Sequence, residues 1–347
     1  MSLRIAFIGF RHGHINGLYR VAKEHNNLEI VAACEEDPET RAQLSEAGIA
    51  ITHNSYGAML REVPCDIVAC GDYFGIRGER LIRALEHGKH VLCDKPLCTN
   101  LDELDRIEDL AREKKLRVGC MLDLIDKPAL VTLHEIIQRG DLGEVLSMTV
   151  LGRHPLKYGS RPMWYFEEGK HGGTINDIGI HLIDALPWLT SHPIAEITAA
   201  RVWNGHVKQH QNFQDGALLM LKLANGCGVI ADFSYFSSDA SGYTMPTYWR
   251  FTVAGSKGTV EAGVNLDKAM LWPNDESGVR EIQLMEGAPH GYLDDFLADI
   301  AGTPTPGGLD TPRVIHSARV SLLAQQAATS GEAPVTISHP ENSDRDM

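Results

Sequence analysis

The first 120 residues alternate between short apolar runs and amphipathic stretches, and this alternation constrains the fold more than any other feature. The amphipathic stretches include "GERLIRALEHG" and "NLDELDRIEDLAREKK", which have helical spacing. The apolar runs that we interpret as buried strands are residues 5–8, "LEIVAAC", "CDIVACG", "KHVLCDKP" and "LRVGCML". Strand–helix alternation with short connections is typical of a parallel, doubly wound sheet, so we predict a Rossmann-type α/β domain.

The pattern changes after about Leu146, where strand-like runs follow one another with turn signals between them. Residues 224–226 and 255–258 predict hairpins, and hairpin-connected strands form antiparallel sheets. A helix in "GGTINDIGIHLIDALPWL" interrupts the strands, and two more helices follow near the end. We therefore predict an α+β domain with a large, mainly antiparallel sheet.

These patterns divide the chain into three parts. We predict a dinucleotide-binding domain over 1–122, an α+β domain for substrate binding and oligomerisation over 123–340, and a flexible tail over 341–347. The C-terminal helices could pack back on the first domain. We expect the substrate to bind in a cleft between the two domains.

The composition excludes several classes of protein. With 32 basic and 46 acidic side chains, the formal charge is −14, which gives no electrostatic attraction to nucleic acid or anionic membranes. No apolar run approaches the roughly 20 residues of a transmembrane helix, and no signal peptide precedes the first strand. The seven cysteines lack zinc-ligand spacing, so we expect reduced thiols in a cytoplasmic protein.

The loop after the first strand, "GFRHGHING", is positioned to bind a dinucleotide. A helix N-terminus presents free N–H groups and a positive dipole end to a pyrophosphate. The fingerprint G-x-G-x-x-G would begin at Gly9, but Arg11 and His14 replace the other two glycines. We assign Gly9, Arg11, His12, Gly13 and His14 to cofactor binding. Arg11 could contact phosphate or ribose, or alternatively obstruct the site.

Two acidic residues follow the second and third strands. Glu35 has the place of the carboxylate that binds the ribose hydroxyls, or it is an ordinary solvated acid at a helix start. An acid there repels a 2′-phosphate, so we predict NAD in preference to NADP. We also assign Asp72 and Lys95 to cofactor binding. His12 and His14 lie on one turn, but the sequence shows no third ligand beside them, so we predict no metal.

Two further segments carry groups suited to catalysis. Lys95 follows the fourth strand on a turn that contains proline, at the sheet edge where ligands bind in such folds. Asp177 and His181 are four residues apart on a predicted helix, which places them on one face. An aspartate can orient a histidine that acts as a base. Each segment also has an ordinary interpretation, a surface lysine or a buried histidine.

These features together resemble the Gfo/Idh/MocA family of NAD(P)-dependent oxidoreductases. The resemblance rests on the altered glycine loop, the acid after the second strand, "GKHVLCDKPLCTN" and "GGTINDIGIHLIDALPWL", in that order. Asp94 stands where the family has glutamate. Another departure is "CGDYFG", which replaces a T-P-N-x-x-H stretch that lines the nicotinamide side in many relatives.

The resemblance implies hydride transfer between a carbinol carbon of a sugar, inositol or sugar acid and nicotinamide. Lys95, Asp177 and His181 would form the catalytic group, with His181 as the base, Asp177 holding its ring and Lys95 polarising the oxygen. The family also implies a substrate loop in "HPLKYGSRPMWYF", which would supply Lys157, Tyr158, Arg161 and Trp164.

Other functions on the same scaffold remain open. One is an NAD-using, redox-neutral glycosidase, and another is a non-catalytic NAD or sugar sensor. By the same resemblance we expect a homodimer or homotetramer that assembles through the sheet of the second domain.

Overall fold

A computed structural model describes residues 2–305 and 307–338. The predicted tail, 341–347, lies outside the described residues. The chain divides into two compact units. Among the described residues, the first comprises 2–122, 162–172, 292–305 and 307–318, and the second comprises 123–161, 173–291 and 319–338.

The first unit contains a parallel sheet of five strands in the order β2-β1-β3-β4-β5, which confirms the predicted Rossmann-type fold. Its main elements in chain order are β1 (Leu3–Ile8), α1 (His14–Glu24), β2 (Leu28–Cys34), α2 (Pro38–Glu46), α3 (Tyr56–Glu62), β3 (Ile67–Cys70), α4 (Phe74–Glu86), β4 (His90–Cys93), α5 (Leu101–Lys114) and β5 (Val118–Cys120). The short helix α3 falls in a stretch for which the sequence reasoning gave no element.

The strands of this sheet are buried along both faces, as the continuous apolar runs in the sequence predict. All four residues of β3 are fully buried, and so are Ile5 and Phe7 of β1. The helices begin where the sequence supplies a cap. Asn100 accepts a hydrogen bond from the backbone N–H of Glu103 at the start of α5. The carboxyl ends of the strands therefore present their loops at one edge of a rigid sheet.

The second unit contains nine strands in one sheet, in the order β13-β12-β11-β10-β6-β9-β8-β7-β14. The pairing is antiparallel except between β6 and β9, which confirms the predicted, mainly antiparallel sheet. The remaining elements in chain order are α6 (Pro128–Gln138), β6 (Val145–Gly152), α7 (Ile180–Thr190), β7 (Ile194–Trp203), β8 (Gly216–Leu223), β9 (Gly228–Asp232), β10 (Tyr248–Gly255), β11 (Gly258–Gly263), β12 (Lys268–Pro273), β13 (Arg280–Gln283), α8 (Gly291–Ile300), α9 (Thr311–Ser330) and β14 (Val335–Thr336).

Both predicted hairpins are confirmed. β8 and β9 pair across a turn in which Gly226 has φ +90°, and β10 and β11 pair across Ser256 and Lys257. The sequence reasoning missed α6 and the strands β12, β13 and β14. None of the helices among the described residues combines the length and the apolar character needed to span a lipid bilayer.

Candidate active site

The loop between β1 and α1 has the backbone that a dinucleotide site requires. Gly9 has φ +72°, and a Cβ there would lie 2.6 Å from the Cβ of Asp72, so a larger residue would be strained. The helix α1 begins at His14 after Gly13, and among the described residues no side chain caps it. Ile15 and Asn16 in its first turn donate their N–H groups to the carbonyls of His12 and Gly13, at 3.4 and 3.2 Å. What this terminus offers an anion is therefore the positive end of the helix dipole.

Arg11 lies between the two acids that were predicted to contact the cofactor. Its Nε is 3.6 Å from Oε1 of Glu35 and 3.5 Å from Oδ1 of Asp72. Its guanidinium lies 5.2 Å from the centre of the Tyr73 ring. Within the described residues this buried Nε has no hydrogen-bond partner. The single positive charge of Arg11 thus offsets part of the negative charge of these two carboxylates.

The carboxylate of Glu35 holds the backbone of the glycine loop by hydrogen bonds. It accepts hydrogen bonds from the backbone N–H groups of Phe10, at 2.6 Å, and Asp37, at 2.8 Å. The side chain is 1 % exposed, and burial raises its pKa. Burial also raises the pKa of Asp72, which accepts a hydrogen bond from the N–H of Tyr73. The predicted ribose contact of Glu35 stays a prediction.

Asp94 is the centre of a buried polar cluster beside this loop. Nδ1 of His12 contacts Oδ2 of Asp94, and Nδ1 of His14 lies 3.2 Å from Oδ1. Arg77 also donates to Oδ2, at 3.0 Å. Burial alone would raise the pKa of Asp94, but His12 and Arg77 hold it well below its usual value. The sequence could not show that Asp94 stands beside both histidines.

Arg77 also fixes the turn that carries Lys95. It donates to the carbonyl oxygens of Asp94, Lys95 and Pro96 at 2.7, 2.6 and 3.1 Å, and it is fully buried. The Nζ of Lys95 lies 5.7 Å from the ring centre of Phe74. A buried guanidinium that binds three consecutive carbonyls holds the lysine backbone in one position.

Trp164 belongs to the first unit, whereas the other predicted substrate residues belong to the second. Its indole Nε1 donates to the carbonyl of Arg11 at 3.2 Å. Its ring packs edge-on against Phe74, with centroids 4.9 Å apart. Trp164 is only 7 % exposed. Its contacts include those with the nucleotide loop and with Phe74.

In the second unit, Asp177 and His181 lie where two helical forms meet. Asp177 is on a π-helical turn, Ile175–Gly179, which continues into α7 with His181 in its first turn. π-turns are rare and are found frequently at functional sites. The hydroxyl of Tyr235 donates to Oδ2 of Asp177. The ring of His181 packs edge-on against Trp249, with centroids 5.9 Å apart. Both residues are buried.

The remaining substrate candidates lie on one loop of the second unit. The N–H of Lys157 donates to Asp239 at 2.6 Å. The hydroxyl of Tyr158 lies 2.9 Å from Nε2 of His210. The guanidinium of Arg161 is 5.0 Å from the ring centre of Tyr235, and Tyr235 is the residue that bonds Asp177. Arg161 is thereby connected through one ring to the predicted catalytic aspartate.

The structure thus places the predicted residues in two groups, one in each unit. The nucleotide-loop residues, Asp72 and the turn of Lys95 form one group, and Asp177 and His181 form the other. The sequence reasoning missed Arg77 and Tyr235. Arg77 had a signal, because it recurs at helical spacing with Phe74 and Leu81 on the buried face of α4. Tyr235 follows a strand and carried no such signal.

Two family models match the chain. Residues 3–121 match the model of the oxidoreductase family with an NAD-binding Rossmann fold, and residues 130–261 match the GFO/IDH/MocA C-terminal domain.

Curated relatives are similar over much of the chain. The inositol 2-dehydrogenase/D-chiro-inositol 3-dehydrogenase of Lactiplantibacillus plantarum is 27 % identical over 263 residues, covering 74 % of this chain and 69 % of that protein. The D-glucoside 3-dehydrogenase of Escherichia coli is 31 % identical over 199 residues, 55 % of each chain.

A solved structure shares the fold. The inositol dehydrogenase homologue of Azotobacter vinelandii, crystallised with NAD⁺, superposes with a TM-score of 0.79 at 17 % identity. The match covers 97 % of this chain and 98 % of that one.

The matched models identify the chain as an oxidoreductase with an NAD-binding Rossmann domain, and the curated relatives named above are dehydrogenases. The loop geometry at Gly9 and the uncapped start of α1 agree with that cofactor. The chain belongs to the Gfo/Idh/MocA family of NAD-binding oxidoreductases.

Proposed function

We propose that this protein is an NAD-dependent dehydrogenase that oxidises one carbinol carbon of a sugar, an inositol or a sugar acid. The observation that carries the proposal is the buried Asp177, held by the hydroxyl of Tyr235, one helical turn before His181. The named activities of the relatives, on inositols and a glucoside, support this substrate class.

In the proposed reaction, His181 accepts the hydroxyl proton while Asp177 orients its ring and stabilises the imidazolium that forms. Lys95, fixed by the bonds of Arg77 to its turn, stabilises the charge that develops on the substrate oxygen. NAD, when bound, would supply the acceptor for the hydride that leaves the carbinol carbon. The carbon–oxygen bond becomes a carbonyl, so the proton and the hydride are both accounted for.

We also propose the orientation and preference of the cofactor. The diphosphate binds at the start of α1 near Gly9, Gly13 and Arg11. Glu35 and Asp72 keep acidic charge at this end of the sheet, which disfavours the 2′-phosphate of NADP. Titration of both cofactors tests this preference, and equal or tighter binding of NADP would contradict it.

Lys157, Tyr158 and Arg161 are proposed as substrate contacts, since they offer donors suited to hydroxyl or carboxylate groups. Trp164 keeps its proposed place as a contact, although its visible partner is the loop at Arg11.

The test is a panel of sugars, inositols and aldonates, each incubated with NAD while the formation of NADH is followed by absorbance. We expect NADH with at least one member of the panel. Release of a free sugar from glycosides without net NADH would indicate the redox-neutral glycosidase instead. Binding of ligands with no turnover across the panel would indicate a sensor.

With a substrate identified, His181→Ala and Lys95→Ala should each lower turnover by roughly 10²–10⁴-fold, the range for a lost base or electrostatic group. The affinity for NAD, measured by calorimetry, should change much less. His87→Ala and Lys208→Ala, at exposed positions, are the matched controls and should retain full turnover. Near-normal turnover of His181→Ala would limit that histidine to a structural role.

The proposal also covers the oligomeric state and the cellular compartment of the protein. The outward face of the nine-stranded sheet carries exposed apolar side chains, so we propose a homodimer or homotetramer formed through it. The seven cysteines all fall within the described residues, where each is buried and none forms a disulfide, which supports a reducing, cytoplasmic environment.

A further inference from the structure

His12, His14 and Asp94 converge on one point of the first unit although the sequence separates the histidines from the aspartate by about 80 residues. One donor atom from each residue lies within 4.8 Å of the other two. Nδ1 of His14 is 3.2 Å from Oδ1 of Asp94, and the two imidazole centroids are 4.4 Å apart. Two ligands of a tetrahedral ion with bonds of about 2.1 Å stand at a comparable separation.

We propose that these three side chains bind a divalent transition-metal ion of the zinc type. Two imidazoles and one carboxylate form a donor set that suits Zn²⁺, Fe²⁺ or Co²⁺ and not Mg²⁺ or Ca²⁺, which prefer all-oxygen ligands. Three protein ligands leave coordination positions open. The side chain of His14 is 56 % exposed, so the ion can enter from the solvent side and keep water there.

The ligands are mounted on rigid backbone, as a metal site requires. The N–H of His12 donates to the carbonyl of Gly71 at 3.0 Å, and that of Asp94 donates to the carbonyl of Cys70 at 2.9 Å. Both acceptors lie at the end of β3. His14 is the first residue of α1. His12 and Asp94 therefore stand in the loops after β1 and β4, the two strands that flank β3, and His14 begins the helix that follows β1.

Arg77 orients the Asp94 carboxylate and does not itself bind the ion. It donates to Oδ2 of Asp94 and leaves Oδ1 turned towards His14, and ligating carboxylates are commonly oriented by such bonds. Its positive charge opposes that of the ion. We therefore expect micromolar affinity, weaker than that of a closed structural zinc site. In the free protein, Nδ1 of each imidazole faces the Asp94 carboxylate. When the ion binds, it replaces the protons of these hydrogen bonds, and each imidazole is neutral with its one proton on Nε2.

The test is a calorimetric titration of the metal-stripped full-length protein with Zn²⁺ alone and, separately, with Mg²⁺ alone. We expect one Zn²⁺ per chain and no measurable Mg²⁺. His14→Gln should weaken the binding of Zn²⁺ at least tenfold, and His12→Asn should do the same. His87→Gln, which changes an exposed histidine of the same unit, is the matched control and should leave it unchanged.

Crystals soaked in Zn²⁺ give a second measurement that does not depend on variants. Anomalous scattering should place the ion within bonding distance of all three side chains. The proposal is overturned if Zn²⁺ fails to bind, if His14→Gln binds as tightly as His87→Gln, or if the anomalous peak lies elsewhere. Circular dichroism confirms that each variant is folded before its affinity is compared. The experiment omits NAD and substrate, so its outcome is independent of the dehydrogenase assay.

Discussion

Arg11 stands where a dinucleotide loop normally has glycine, and its contacts show what it does there. Its Nε lies 3.6 Å from Glu35 and 3.5 Å from Asp72, so its charge offsets part of the repulsion that these carboxylates would exert on the diphosphate proposed to bind here. The sequence showed the departure from the fingerprint but could not show which way the side chain points. The orientation depends on acids 24 and 61 residues further along, which only the folded sheet brings to the loop.

Arg11→Ala should therefore weaken NAD binding by about 1–2 kcal/mol, the scale of a hydrogen bond that involves a charged group. This corresponds to a roughly five- to thirtyfold rise in Kd. Calorimetry measures it, with Arg20→Ala on the exposed side of α1 as the control. Tighter binding by Arg11→Ala would mean that the arginine obstructs the site, and would favour the sensor.

Tyr235 is the residue-scale feature that sequence reasoning could not reach. The spacing of Asp177 and His181 predicted their helix, but the hydroxyl that bonds Asp177 comes from a segment 58 residues away. Nothing in "DFSYF" distinguishes this tyrosine from an ordinary aromatic residue of a sheet.

Tyr235→Phe should lower kcat about tenfold with little change in KM, because it removes one hydrogen bond to the carboxylate that orients the base and leaves the substrate contacts intact. Steady-state kinetics on the identified substrate separates the two constants. Tyr243→Phe, at an exposed position of the same unit, should behave as the wild type. An unchanged kcat in Tyr235→Phe would show that Asp177 is held well enough by its other neighbours.

At the scale of elements, the sequence predicted best where burial is uniform along a strand. β1 to β5 are continuous apolar runs, and their order in the chain fixes a parallel sheet with helical connections. α6 was missed although its apolar residues recur at helical spacing. β13 was missed because most of its side chains are exposed, which leaves no alternation to detect.

The packing of α1 against β3 shows how the chain manages without the third glycine of the fingerprint. That glycine normally allows a helix to approach its strand closely, and here His14 replaces it. Here the close approach is permitted by Gly71, which follows β3. A Cβ on Gly71 would lie 2.3 Å from the Cβ of Ile15 in α1. The glycine that packing requires is therefore on the strand side of the contact.

Gly71→Ala should destabilise the protein by about 1–3 kcal/mol through overpacking. Gly17→Ala is the matched control, because Gly17 lies within α1 and a Cβ added there would meet no atom within 4 Å. It should stabilise by about 0.5–1 kcal/mol, the difference in helix propensity. Urea unfolding measures the change in the free energy of unfolding of each variant. Equal changes in the two variants would contradict the packing argument.

At the scale of the whole molecule, the nine-stranded sheet has one buried face and one face open to solvent in the single chain, where apolar side chains lie among polar ones such as Lys222. Along one register row, Met220 pairs with Ile230, and Ile230 pairs with Thr149 of β6. Met220 is 43 % exposed and Ile230 is 54 % exposed. The neighbouring row, which contains Leu221 and Val229, is buried. Exposed apolar side chains that lie next to each other, as Met220 and Ile230 do, commonly mark an interaction surface.

Ile230→Lys combined with Met220→Lys should therefore convert the assembly into monomers, because two isologous copies would each bring two charges into the buried contact. Light scattering after size exclusion measures the mass at micromolar concentration, and the wild type should elute as a dimer or tetramer. Val279→Lys, an exposed apolar position on the connection between β12 and β13, is the control and should keep the wild-type mass. A monomeric wild type would contradict the proposed assembly. An unchanged mass in the double variant would place the contact on another surface of the chain, since two lysines at the centre of this face cannot be buried against their symmetry mates without a large desolvation cost.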